Sequence, residues 1–466
     1  LPADRSETRA GRPRSFFALR PKKSAFCNLP SAIFLCLLFI STLTSSLLAA
    51  EPTAEEKAQR AKQAEEIFAR AREARKMKVV VFGSSVAWGQ GAENNHGWAA
   101  RLAQVIEPRG WTLVNKSVPG DNTVKLLARF HTAVLPEKPQ VVILALSLAN
   151  EGLVRQPDPE AIFFRYRENM RKLVQLCRQN GIVPIVTGVY VHGAYTPQQY
   201  QYAKNMNCEL DSWSVATVDF MGAVDDGAGH WGEGLFKDPG HPNDAGHEAL
   251  FRAFPPSILD CLIAEAPRPL RLARSALTIP PHAREQKEGG GLSYQPRDPL
   301  RSYTLAVEAL LDTNAPGTIM VAGGNVIELA PGGKLSVKTG AGKPLAADKP
   351  LPKNKAAHLS LVHSAPQKKS TLLVDGKEVL FWQDDSEPPQ FFALAGPGVP
   401  ACGEYRHAAL YRVALRPDQV SQIASGLVLK SGLEIFSALD DAGVAVGTIL
   451  NNQAPTEAAW VVHGKF

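Results

Sequence analysis

The chain has 466 residues, 45% of them hydrophobic and 21% charged, which is enough to bury a full core in about two or three domains. Its formal charge of +6 is concentrated at the start. Residues 1–23 hold seven Lys/Arg (Arg5, Arg9, Arg12, Arg14, Arg20, Lys22, Lys23) against Asp4 and Glu7, which leaves about +1 for the rest of the chain. That remainder lacks the basic patch a nucleic-acid-binding domain presents, so no nucleic-acid partner is expected.

The basic start leads into an uncharged apolar run, Ala32–Ala50, that ends in the small residues Ala49-Ala50. This order reads as a secretory signal peptide over residues 1–50 and predicts a secreted or periplasmic protein. A membrane association is expected only if the segment stays uncleaved, since its 19 residues just suffice to span a bilayer. Residues 51–77, rich in Ala, Glu, Lys and Arg, predict an exposed charged helix. Four cysteines follow, Cys177, Cys208, Cys261 and Cys402; their pairing is open, and none has metal-ligand spacing.

From Lys78 the pattern alternates between short apolar runs and amphipathic stretches. Strands are predicted at Val79–Phe82, Trp111–Asn115, Val141–Ser147, Ile182–Val186 and Ser214–Phe220. Helices are predicted near Trp98–Ile106, Thr123–Phe130, Pro159–Gln179, Pro197–Asn207 and Asn243–Phe254. This alternation implies an α/β domain over 78–266, a parallel sheet with helices on both faces. Residues 267–299, rich in Pro and Gly, read as a linker. Short strands follow at Ser302–Ala309, Gly317–Ala322, Lys334–Thr339, His358–Ser364, Ser370–Val374, Glu378–Trp382 and Ala408–Val413. Asp375-Gly376 is a type I′ hairpin signal between two of them. The spacing predicts an all-β sandwich over 300–430, and 431–466 reads as a β-rich tail.

Ligands bind beyond the carboxyl ends of strands in open α/β sheets. Ser84-Ser85 follows the first strand, Asn115 through Gly120 to Asn122 follows the second, and Ser147 through Asn150-Glu151 follows the third. Asp238-Pro-Gly-His241-Pro opens the last helix. A hydroxyl, a base with an orienting carboxylate, and donors for an oxyanion are what acyl transfer requires. These blocks together resemble the SGNH (GDSL-type) hydrolase family, a three-layer α/β/α fold. The resemblance implies Ser85 as nucleophile, His241 as general base and Asp238 as its orienting carboxylate. It implies an oxyanion hole from the N–H groups of Ser85 and Gly120 and the Asn150 side chain. The family usually has Asp where this chain has Ser84, and G-x-N-D where it has Leu148-Ala149-Asn150-Glu151. No cofactor and no metal are expected.

His192, Asp225, Asp226, His230 and Trp231 fall in loops that wall this site and are candidate substrate contacts. His247 is expected to be structural, and Asn243 or Asp244 to cap the last helix. His358–Val374 with its hairpin to Trp382, and His407–Ile423, resemble concanavalin A-like, laminin-G-type sandwiches of jelly-roll form. Many such modules bind glycans, which implies an acylated carbohydrate as the ester substrate. Phe381, Trp382, Phe391 and Phe392 are read as core aromatics before sugar-stacking ones. The alternatives are a lipase- or thioesterase-type enzyme acting on other esters, and a glycan-binding protein with a silent hydrolase domain.

Overall fold

An uninterrupted apolar run belongs in a strand covered on both faces, and Val79–Phe82 is fully buried in the middle of β1 (Met77–Gly83). Strands β2 (Trp111–Asn115), β3 (Val141–Ala145), β4 (Val183–Thr187) and β5 (Ala216–Val218) join it in one parallel sheet of order β2-β1-β3-β4-β5. This computed structural model describes residues 77–264 and 291–463, apart from 340, 341, 343, 354, 396–402 and 440–446. The expected signal peptide, the charged helix up to residue 76, the larger part of the linker and Cys402 lie outside the described residues.

The helices carry their own boundary signals. Helix α1 (Ser85–Trp88) is a single turn directly after β1, and α2 (Trp98–Ile106) and α3 (Thr123–Ala133) flank β2. After the short α4 (Leu148–Glu151), α5 (Pro159–Gln179) starts on Asp158, whose side chain accepts from Ala161 N–H at 2.9 Å, with Pro159 at its first position. It buries Ile162, Tyr166, Met170, Leu173 and Cys177, one face at helical spacing. Helix α6 (Pro197–Ser212) opens with a Thr196/Gln199 capping box. The remaining helices of this layer are α7 (Met221–Val224), α8 (Asp244–Arg252) and α9 (Ile258–Ile263). Asn243 caps α8 by accepting from Gly246 N–H at 3.0 Å. Because β2 and β3 lie on opposite sides of β1, the chain leaves the sheet centre in opposite directions, which opens a crevice at the carboxyl ends of these three strands. A two-stranded ribbon, β6 (Phe236–Asp238) and β7 (His241–Pro242), precedes α8.

The second half is built of antiparallel pairs in two sheets. Strands β8 (Gly291–Tyr294), β10 (Gly317–Ala322), β11 (Asn325–Leu329), β12 (Lys334–Lys338), β13 (Leu345–Pro350), β17 (Phe392–Leu394) and β20 (Val461–His463) form the seven-stranded sheet, in the order β13-β12-β11-β10-β17-β8-β20. Strands β9 (Tyr303–Leu311), β14 (Ala357–Ser364), β15 (Lys369–Val374), β16 (Lys377–Gln383), β18 (Gly403–Tyr411) and β19 (Leu433–Ser437) form the six-stranded sheet, in the order β16-β15-β14-β9-β18-β19. Leu305, Val307, Leu359, Leu361, Leu372 and Leu410 of one sheet share a core with Ile327, Leu335, Val337, Phe392 and Val462 of the other. Val374 pairs with Lys377 across Asp375-Gly376, both at positive φ, as the hairpin signal requires.

Two boundaries differ from expectation. Gly291–Tyr294, within the predicted linker, is a central strand, and the predicted tail supplies β19 and β20, one to each sheet. Strand β19 escapes period-2 reading because both its faces are buried. The reason is that the six-stranded sheet is covered twice. Its outer face (Ala306, Val362, Ala409, Tyr411), with Val413, Leu415 and Val420 and Ile423 of α10 (Pro417–Ala424), belongs to the same core as the α/β layer. Buried polar pairs fix this contact. Arg412 is bonded to Glu434 at 2.6 Å and donates to the Arg252 carbonyl at 2.9 Å, and Ser431 Oγ donates to Asp211 at 2.7 Å.

Candidate active site

Gly83 ends β1 with no room for a side chain, since a Cβ there would lie 2.2 Å from the Ala145 carbonyl oxygen of β3. The chain then turns into α1, and the two adjacent serines meet different surroundings. Ser84 is buried, and its Oγ has no hydrogen-bond partner among the described residues. Ser85 Oγ stands 3.0 Å from His241 Nε2. His241 Nδ1 lies 2.9 Å from both carboxylate oxygens of Asp238. A neutral imidazole that donates Nδ1–H to Asp238 presents its Nε2 lone pair to the Ser85 hydroxyl.

The β6–β7 ribbon sets this geometry by pairing Asp238 directly with His241. Gly240 N–H donates to Asp238 Oδ1 at 2.8 Å. Partial burial works to raise the Asp238 pKa, but the hydrogen bonds from His241 and the Gly240 N–H outweigh it and hold the carboxyl below its ordinary value. The turn is supported from behind. The Trp231 indole N–H and the Gly193 N–H both donate to the Pro239 carbonyl, at 3.0 and 2.8 Å. His247 lies beneath α8, where Nδ1 accepts from Trp98 N–H at 3.3 Å and Nε2–H donates to the Gln90 carbonyl at 3.0 Å.

Gly120, Ser85 and Asn150 follow β2, β1 and β3, three neighbouring strands. Gly120 has φ +79 in open space, so conformation and not crowding requires glycine there. Its loop is tied down on both sides. Val118 N–H donates to the Gly83 carbonyl at 3.2 Å, and Arg129 bonds Asp121 at 2.6 Å and the Lys116 carbonyl at 2.8 Å. Asn150 Oδ1 accepts from Ser147 N–H at 2.9 Å, which turns the amide NH2 outward; that NH2 has no partner among the described residues. The N–H groups of Ser85 and Gly120 are likewise unpartnered among the described residues.

Glu151 carries a structural role that its place in the sequence did not signal. Its side chain is fully buried; it accepts from Thr123 N–H at 3.0 Å, from Thr123 Oγ1 at 2.8 Å and from Arg165 Nε at 2.7 Å. It thereby ties the Asn150 turn to the start of α3, just past the Gly120 loop. The only sequence signal was its departure from the usual third-block aspartate.

The wall candidates are placed as loop supports. Trp231 is buried, with 4% of its surface exposed. Asp226 accepts from Ala228 and His230 N–H at 2.8 and 3.0 Å, and His230 reaches the Tyr195 carbonyl at 3.1 Å. Asp225 is buried, bonded to Tyr200 and to the N–H groups of Gly227 and Gly229. His192, like Trp231, stands against the Asp238–His241 turn; burial, and then the nearby His241, push its pKa down. Cys177, Cys208 and Cys261 are free thiols, and burial raises that of Cys177 to about 12. Trp382 and Phe392 are core residues, whereas Phe381 is 58% exposed. Among the described residues no cluster of His, Cys, Asp and Glu is arranged to hold a metal, and no helix is long and apolar enough to cross a membrane.

Residues 81–249, which include every residue of the site, match the GDSL-like Lipase/Acylhydrolase family, and this stretch is a GDSL-type hydrolase domain. The chain is similar to Esterase TesA of Pseudomonas aeruginosa, 28% identical over 122 residues, which make up 26% of this chain and 58% of that protein. It therefore spans less than two thirds of that curated relative. Two solved structures are also similar to it. One is TesA, at 22% identity, covering 38% of this chain and 95% of that one, with a TM-score of 0.32. The other is a catalytic mutant of Axe2, an acetylxylan esterase from Geobacillus stearothermophilus, at 20% identity, covering 38% and 92%, with a TM-score of 0.32.

Proposed function

We propose that this protein is a serine ester hydrolase. The observation that carries the reading is the unbroken contact chain from Asp238 through His241 to Ser85 Oγ, at 2.9 and 3.0 Å, at the carboxyl end of β1. In this reading His241 Nε2 takes the hydroxyl proton as Ser85 Oγ attacks the ester carbonyl. The resulting oxyanion is held by the N–H groups of Ser85 and Gly120 and by Asn150 Nδ2. His241 returns the proton to the leaving alcohol as the acyl–Ser85 ester forms. A water deprotonated by His241 then releases the acid and regenerates Ser85. Fluorophosphonate labelling tests this: covalent adduct on the wild type and none on Ser85→Ala is the expected result. A wild type that resists labelling favours the silent, glycan-binding reading and overturns ours.

The substrate we infer is a short-acyl ester of a carbohydrate, and the protein is inferred to act outside the cytoplasm. The appended two-sheet domain, which we assign to the concanavalin A-like jelly rolls, supports the first inference. The basic-then-apolar start of the sequence supports the second. Acetate release from acetylated xylan is the expected activity. A specific feature favours longer acyl chains instead: Val118 and Val124, either side of Gly120, are 45% and 49% exposed. Turnover of long acyl esters with none on sugar acetates decides for that second reading.

A further inference from the structure

The outer face of the six-stranded sheet is covered by the α/β layer at one end only. At the other end a cleft of about 640 Å³ opens between the sheet, the end of α10 and the loop 425–428. The sequence explains why it is hollow. Cross-strand register places Val362, Thr304 and Tyr411 in one row, which is sealed against the neighbouring layer. The next row runs Leu373, Ser360, Ala306, Ala409 and Phe436, of which Ala409 and Phe436 reach the cleft. The row beyond is His358, Glu308 and Arg406, all polar. At Ala409 the short side chain, between Phe436 and the polar row, leaves the space open.

The polar end is built and not incidental. His407 adopts φ +51 at a bulge where the register of β18 shifts between Arg406 and Ala409. A β-branched or long side chain rarely takes this conformation, and a bulge of this kind re-aims a side chain. The result is that His407 Nδ1 reaches Glu308 at 3.1 Å. Arg406 lies 3.9 Å from the other Glu308 oxygen, and its buried Nε has no hydrogen-bond partner among the described residues. Asp375, at the hairpin tip, accepts from His358 N–H through Oδ1 at 2.9 Å. Burial pushes the His358 imidazole down to about 4, so it is neutral at pH 7. The floor adds Tyr411, Ile423 and Phe436.

We propose that this cleft binds a neutral, hydroxyl-rich ligand, a short saccharide. Two carboxylates stand in it beside one guanidinium, so a free anion meets Glu308 and Asp375, and a divalent cation meets Arg406. Hydroxyls both donate and accept, and so suit fixed acceptors and donors side by side. The apolar floor suits the C–H faces of a sugar ring, and the volume lies within the range of about 300–1,000 Å³ usual for small-molecule sites. The site is separate from Ser85 and does not rest on the hydrolase reading.

The test uses the full chain as Ser85→Ala, so that no ester is turned over, and calorimetric titration with xylotetraose, cellotetraose and mannotetraose, with sodium phosphate and sodium acetate as the anion arms. Saturable binding of at least one tetrasaccharide is expected. Asp375→Asn, which keeps the turn, and Ala424→Trp, which fills the cleft mouth, should each weaken it at least tenfold without changing the melting temperature. Hydrolysis of a small soluble ester by the same variants, made in the Ser85 background, should be unchanged. No saturable binding of any tetrasaccharide overturns the proposal, as does binding of the anions alone. Saccharide binding that both variants leave intact also overturns it, because the ligand then sits elsewhere.

Discussion

Among the described residues, a Ser-His-Asp cluster linked through side chains lies in each half, and the two clusters differ in order and access. In the α/β half the imidazole stands between carboxylate and hydroxyl, with His241 touching Asp238 on one nitrogen and Ser85 on the other. In the sandwich the hydroxyl touches both partners: Ser370 Oγ donates to Asp384 at 2.5 Å and meets His363 Nδ1 at 2.9 Å, a registered pair across β14 and β15, and His363 Nδ1 itself lies 3.4 Å from Asp384. A hydroxyl whose proton is already held by a carboxylate has no base to activate it. All three members are buried, and the His363 ring stacks on Tyr303 at 5.1 Å. Burial works to raise the Asp384 pKa, but the hydrogen bonds from His363, Ser370, Ser386 and Asn325 prevail and hold it far below the usual carboxylate range. Residue type alone therefore predicts nothing here. The order of contacts and the position at a strand end separate the set we propose to be reactive from a structural one.

The sharpest way to break this comparison is to remove one hydroxyl from each cluster. Ser85→Ala should lower ester turnover by about 10⁴-fold or more, with the melting temperature unchanged. Ser370→Ala should leave turnover within about twofold and cost about 1–3 kcal/mol in denaturant unfolding, because Asp384 and His363 each lose a buried partner. A loss of turnover in Ser370→Ala, without unfolding, contradicts the distinction. Next in size is Asn150→Ala. If Asn150 is the proposed oxyanion donor, its removal should lower kcat by about 10²–10³ with little change in KM. An effect on KM alone identifies Asn150 as a substrate-binding group instead.

Smaller and more local is Glu151→Gln. Its carboxylate holds Thr123, the first residue of α3, and Arg165, in the second turn of α5, beside the Gly120 and Asn150 turns. Arg165 is partly exposed, so water compensates part of the lost pair. We expect kcat to fall about tenfold, and no further fall when Glu151→Gln is combined with Asn150→Ala. Independent, additive losses in that double variant refute an action through Asn150.

These residues also show what a sequence reveals. Ser85, Gly120 and Asn150 are legible because each lies a few residues beyond the carboxyl end of a parallel strand. Asp238 and His241 are legible because they sit three apart on one loop. Glu151 is not, because its partners stand 28 and 14 residues away and only the packing of α3 and α5 on the sheet brings them in. Strands β1 and β3 hold continuous apolar runs and announce themselves. In the sandwich β13 is hidden: it is an edge strand ending in Pro350 whose apolar face is only Leu345 and Ala347. Strand β19 is hidden for the opposite reason, since a strand buried on both faces has no alternation.

The last comparison sets the two halves side by side through one buried histidine in each. His247 holds the 90–98 loop onto α8, and a Cβ on Gly97 would lie only 2.8 Å from its Nδ1. Burial pushes His247 down from 6.5 to about 4, and His358 in the sandwich equally from 6.5 to about 4. Between these values the unfolded chain binds more protons than the folded one, so stability rises with pH. It is fully present above about 6.5 and is lost as pH falls towards 4, by up to roughly 3 kcal/mol for each histidine. His247→Asn and His358→Asn should each flatten the melting temperature against pH over that window. Because the outer face of the six-stranded sheet shares a core with the α/β layer, both variants should act on one common transition. Two separate transitions, each answering to only one of the variants, mean that the halves unfold independently despite that shared core.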